Sequence, residues 1–116
     1  MLSVLKECLR VLKPSGKFSI SVPNARMFIE AYLNREPYPD IAVYEPAYHY
    51  NTHIDYVNYI AYMGGHHKHL FDIENLLKIL ELAGFVKCKE RKYDPALDPG
   101  KSRKHHSVYA NAFKAR

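Results

Sequence analysis

The chain carries seven histidines, and five of them fall in two short stretches. His49 and His53 stand four residues apart, and His66, His67 and His69 lie within four residues. Imidazole binds metals and titrates near neutral pH. A pair at four-residue spacing shares a helix face, so one candidate chemistry is metal ligation. No Cys or carboxylate arrangement completes a ligand set, and Asp72 is better placed as a helix cap, so no metal is expected. A second chemistry is orientation of a bound group, or uptake of a proton from it. The third reading is histidines that face solvent or cap a helix and do no chemistry. Seven of the ten tyrosines lie between Tyr38 and Tyr62. Each ring offers an apolar face and a hydroxyl tip, suited to lining a pocket or to packing an irregular segment. Cys8 and Cys88 fall on a helix-like and a strand-like segment and read as free thiols. Cys88 has no basic helix terminus or His pattern around it, so it is not read as a nucleophile.

The elements that must position these residues follow from periodicity. Leu2, Leu5, Leu9 and Leu12 form one face of a helix over 2–13. Pro14 ends it, because the residue before proline is pushed out of the helical region. Ser15-Gly16 makes a turn. Phe18, Ile20 and Val22 then alternate with Ser19 and Ser21, which reads as a strand covered on both faces. Its carboxyl end delivers Val22, Pro23 and Asn24, and in open α/β sheets ligands sit outside such ends. A short helix fits 25–35. Residues 36–65 read as an irregular Tyr-rich insertion, with a helix near 52–62. Asp72 caps a helix whose stripe is Leu76, Leu77, Leu80 and Ala83, and Gly84 closes it. Strands are expected over 86–93 and 107–113, with a Pro/Gly loop between.

Length bounds the rest. The 116 residues suit one domain spanning 1–116. There is no apolar run of membrane-spanning length and no signal-peptide pattern, so a cytoplasmic, membrane-free protein is expected. Residues 86–116 hold nine Lys/Arg against three Asp/Glu. That tail suits either an anionic partner or plain solvation. The basic residues do not interleave with stacking aromatics along a groove, which disfavours nucleic acid.

The segments together resemble a known family. "LKECLRVLKPSGKFSISVPN" resembles the late helix and fifth strand of the Rossmann-like S-adenosylmethionine-dependent methyltransferases. There the turn commonly reads Arg-Val-Leu-Lys-Pro-Gly-Gly. "LLKILELAGFVKCKERK" looks like the next helix and sixth strand, and "HSVYANAFKAR" is similar to the seventh strand. "GGHHKHLFDIENL" and the Arg-then-Ser-Val-Tyr ending resemble a subgroup of predicted methyltransferases of unassigned substrate. Ser15 departs from the family's commoner glycine.

The resemblance implies an α/β fold: a partial Rossmann-like methyltransferase fold with flanking helices. Its sheet is expected to be three-stranded and mixed, one crossover strand plus a C-terminal antiparallel pair. It implies the acceptor-side half of a methyltransferase, with S-adenosylmethionine as cofactor. The Gly-rich loop and ribose-binding acid that would hold that cofactor have no counterpart here, so no cofactor-binding residue is assigned and no catalytic residue is named. The chain alone is expected not to be competent. Asn24, His66, His67, His69 and Arg103 are the expected substrate-side residues, Arg103 by its place in the terminal motif and its fit to an anionic group. The acceptor would be a small molecule or a glycan-type group. The partner would be a second copy or a polypeptide carrying the first half. The alternative is a non-catalytic remnant or binding module with a basic C-terminal surface.

Overall fold

The computed structural model describes residues 1–37, 50, 52–62, 69–98 and 106–116. Among these stand four helices and three strands, a mixed α/β architecture. They are α1 (Leu2–Val11), β1 (Lys17–Pro23), α2 (Ala25–Leu33), α3 (Asp55–Tyr62), α4 (Ile73–Ala83), β2 (Val86–Glu90) and β3 (Ser107–Phe113). The chain divides into two compact units, Met1–Val22 with Asp72–Arg116, and Pro23–Phe71. Among the described residues no helix is long and apolar enough to cross a membrane.

In the first unit the turn before β1 is set by local chemistry. The Gly16 N–H donates to Lys13 O at 2.8 Å, and a Cβ on Gly16 would lie only 2.8 Å from that same oxygen. Ser15 sits at φ 62°, in the left-handed region. The position where the resemblance has glycine is therefore one whose backbone favours glycine, and serine there carries strain. Lys114 Nζ donates to Arg10 O at 3.2 Å and Leu12 O at 2.9 Å, satisfying carbonyls that the end of α1 leaves open.

Helix α4 begins and ends as its residues require. The Asp72 carboxylate accepts from the Asn75 N–H at 2.8 Å. Gly84 adopts φ 109°, its N–H donates to Glu81 O, and the Phe85 N–H reaches Leu80 O. This is the paired-bond helix ending that a left-handed residue permits. Leu76, Leu80 and Ala83 are buried. A Cβ on Gly84 would come within 2.9 Å of Leu9 Cδ2, so α1 and α4 pack closely there.

The sheet order is β1-β3-β2. β3 runs antiparallel to β2, pairing Ala110 with Glu90 and Asn111 with Lys89. Along β1 the partners run in opposite senses: Lys114 N–H to Gly16 O, and Ser19 Oγ to Asn111 Oδ1. Every neighbouring pair is thus antiparallel, which corrects the expected mixed sheet. The reason lies in composition. β3 buries Val108, Tyr109, Ala110 and Ala112 and takes the centre, whereas β2 exposes Lys87 and Lys89 and suits an edge. β1, read from its alternation as covered on both faces, holds the other edge. Its apolar residues share a face with Ala110 and Ala112, and Phe18 stacks on Phe85 at 5.1 Å. α4 packs on β2 and β3. The opposite face carries Ser19, Asn111, Lys89 and Arg91.

The second unit pairs α2 with α3. Ala25, Phe28 and Ile60 form its core with Met27, Tyr56 and Tyr59 packed around them, and the Phe28 and Tyr59 rings lie 5.6 Å apart. α2 ends at Leu33 and α3 starts at Asp55, within the spans expected from the sequence.

Replacing Ser15 by glycine relieves the left-handed backbone. The expected outcome is a gain of about 0.5–1 kcal/mol, read as a rise of a few degrees in a thermal melt. No change would mean that the turn is not held as described.

Candidate functional site

Of the five expected substrate-side residues, His66 and His67 (within 63–68) and Arg103 (within 99–105) lie outside the described residues. Asn24 and His69 are described, and both belong to the second unit. Asn24 is the N-cap residue of α2, at φ −93° and ψ 97°, yet its side chain makes no capping hydrogen bond. Its Oδ1 is buried and has no partner among the described residues. An unmet buried acceptor costs about 1–3 kcal/mol, so this oxygen calls for a donor. The Ala25 N–H, next in sequence, donates to Phe71 O at 2.8 Å. That bond sets the start of α2 beside the segment that carries His69. His69 is exposed, with its ring edge-on to Phe71 at 4.6 Å.

The tyrosines divide between packing and exposure. Tyr59 stacks on Phe28, and Tyr56 donates its hydroxyl to Pro37 O at 2.8 Å. Burial, and then the nearby Glu36 charge, push the Tyr56 hydroxyl above its ordinary range. Tyr50 and Tyr62 are largely exposed. Tyr38, Tyr44 and Tyr48 lie outside the described residues.

Two carboxylates matter that the sequence reading did not single out. Asp55 is buried, and its Oδ2 accepts from the Thr52 N–H at 2.8 Å and the Tyr50 N–H at 3.0 Å. Asp55, the first residue of α3, reaches back to the backbone of the turn that leads into the helix, and the Thr-x-x-Asp spacing was there to be read. Asp98 belongs to the first unit. It takes both oxygens to Arg91 at 2.7 Å and also accepts the Asp94 N–H at 2.8 Å. The Arg91 and Asp98 side chains are only 12% and 7% exposed. The guanidinium lies 5.2 Å from the centre of the Tyr109 ring, and Tyr93 meets that ring edge-on. An Asp in a Pro-rich turn gave no sign of this partner, which is seven residues upstream.

The hydrogen bonds from Arg91 hold the Asp98 carboxyl below its ordinary range, and those to Asp98 hold the guanidinium above its own. Cys8 and Cys88 are free thiols. Burial, with the Glu81 charge behind it, raises the Cys88 thiol. That agrees with reading Cys88 as no nucleophile. His49 lies outside the described residues. Among those described, no group of three or more His, Cys, Asp or Glu is placed to hold a metal ion.

Comparison with known protein families, with curated proteins and with solved structures finds no match.

The depressed Asp98 carboxyl fixes a sign. Its stabilising effect is present above the unfolded-state pKa and is lost as pH falls through the lower folded-state value. Asp98→Asn strands the buried guanidinium and is expected to cost about 3 kcal/mol at neutral pH. In the variant, unfolding free energy should fall less steeply on acidification below about pH 4. Urea unfolding across pH measures both effects.

Proposed function

We propose that these residues form the acceptor-side part of an S-adenosylmethionine-dependent methyltransferase. The observation that carries the reading is the makeup of the first unit. The three segments that resemble the family fold as helix–turn–strand, helix–strand and closing strand, and they gather into one sheet layered with α1 and α4. Among the described residues β1 has one sheet neighbour, on the side away from where the family's fourth strand would pair.

The cofactor does not fit the residues at hand. β1 runs into Pro23-Asn24 and β2 into Arg91, so neither strand opens into a glycine-rich loop that would cradle it. In this reading S-adenosylmethionine, which supplies an electrophilic methyl group when bound, is held by residues outside this chain. The chain's own part is to place the acceptor. The Asn24 amide oxygen takes a hydrogen bond from an acceptor hydroxyl or amine and fixes its direction. A histidine of the 66–69 segment orients the acceptor or receives its proton. The second reading, a non-catalytic module using its basic surface, draws on exposed Lys87 and Lys89 of β2. It predicts anion binding that weakens with salt.

Titration calorimetry of the chain with S-adenosylmethionine tests the division of labour. No binding in the micromolar range is expected, and a micromolar dissociation constant would contradict it. Asn24→Ala separates site from scaffold. Removing an unmet buried acceptor should leave the melting temperature unchanged or slightly higher. In an assembly able to bind the cofactor, transfer of a labelled methyl group should fall at least tenfold. A variant that melts early, or one that transfers normally, would remove Asn24 from the site.

A further inference from the structure

The two edges of the sheet are built differently. On β2, Lys87 and Lys89 are exposed, and Lys87 takes φ 53° where the register slips between Val86 and Lys89. Edge lysines and a bulge are devices that stop a strand from pairing further. β1 has neither along Phe18–Val22. Its register with β3 commits the even-numbered residues to β3 and turns the N–H and C=O groups of Lys17, Ser19 and Ser21 to the other side, where no described strand pairs with them. A tight turn joins β1 to α1, and α1 carries two apolar stripes. Leu5, Leu9 and Leu12 run along the inward one. Val4, Cys8 and Val11 form the other, with Val4 59% and Val11 66% exposed.

We infer that the open edge of β1 and the Val4–Cys8–Val11 stripe form one self-association surface, occupied by a second copy of the chain across a two-fold axis. The surface is complementary to itself. With Ser19 opposite the partner's Ser19, all three outward N–H groups find carbonyls, and Pro23, which has none to give, lies beyond the pairing. Lys17 then faces the partner's Ser21, so like charges stay apart. Phe18 meets the partner's Ile20 on the apolar face, and hydroxyls meet hydroxyls on the other. The same axis sets α1 antiparallel to its copy, with Val4 toward the partner's Val11 and Cys8 near the centre. A strand edge alone falls short of the roughly 800 Å² per partner of a stable interface, and the stripe adds the apolar contact it lacks. The inference rests on the edge and the stripe of the chain by itself; a chain supplying the family's fourth strand would take the same edge, so this dimer and that assembly exclude one another.

Light scattering after gel filtration, at tens of micromolar, is expected to give twice the chain mass of 13.5 kDa. Ser21→Pro removes one outward donor and spares the ladder to β3. Val11→Lys charges the stripe at an exposed position and guards against a folding failure in the first variant. Each should weaken dimerisation at least tenfold with an unchanged circular dichroism spectrum. In a Cys88→Ser background, diamide should join Cys8 to the partner's Cys8, each thiol giving up one proton and one electron to the oxidant. A monomer at every concentration would overturn the inference. So would a larger species, a dimer unmoved by both variants, or one in which Cys8 does not crosslink.

Discussion

The structure depends on the placement of β3 between β1 and β2. Val108, Ala110 and Ala112 lie buried along one face, and the two alanines are wholly shielded. Small residues at the centre of a sheet let a helix layer come close, and α4 takes that position. Because β3 enters in the reverse sense, it satisfies backbone groups of both neighbours at once. β1 and β2, consecutive strands with α2, α3 and α4 between them in the chain, run in the same direction without pairing with each other. The helix stripe, the Phe18–Phe85 stack and the Lys114 cap on α1 all lie on the side that this arrangement defines.

The polar face of the same sheet shows the opposite economy of contacts. Ser19 bonds Asn111 across the β1–β3 pair, and Arg91 spans from β2 to Asp98 over Tyr109. A buried ion pair is weak evidence of net stability, because removing two charges from water costs several kcal/mol. Its value here is geometric. Both carboxylate oxygens and the Asp94 N–H are engaged together, so the turn after β2 has one bonded arrangement. In the second unit the Asn24 oxygen has no donor among the described residues. A cost of about 1–3 kcal/mol is a sizeable share of a net stability near 5–15 kcal/mol, and such a cost is most readily tolerated where a ligand meets it.

Local chemistry was legible in the sequence, and pairing was not. Asp72, Asn75 and Gly84 fixed the ends of α4, and Pro14 with Gly16 fixed the turn, because each acts over four residues or fewer. The limits of β3 matched the strand expected over 107–113. Its position could not be read, since a strand's own residues say nothing about which strand lies alongside. Lysines at alternate positions in β2 did hint at an edge. Ser15 looked like a minor departure from glycine until its φ value showed that the position is left-handed. Of the proposed site, Asn24 was reachable from the rule that ligands gather at strand ends. Its unmet oxygen was not, because satisfaction of a buried atom depends on neighbours far off in sequence. Arg91 and Asp98 were hidden for a related reason: a charged residue in a basic segment reads as solvated.

Proton contacts across the strands test the central placement most directly. In antiparallel pairs that lack mutual hydrogen bonds, opposed α-protons approach closely. With β3 in the middle, nuclear Overhauser contacts should join the α-protons of Ser19 and Asn111, and separately those of Glu90 and Ala110. Backbone contacts running directly between residues 17–23 and 86–90, with β3 displaced to the outside, would contradict the account.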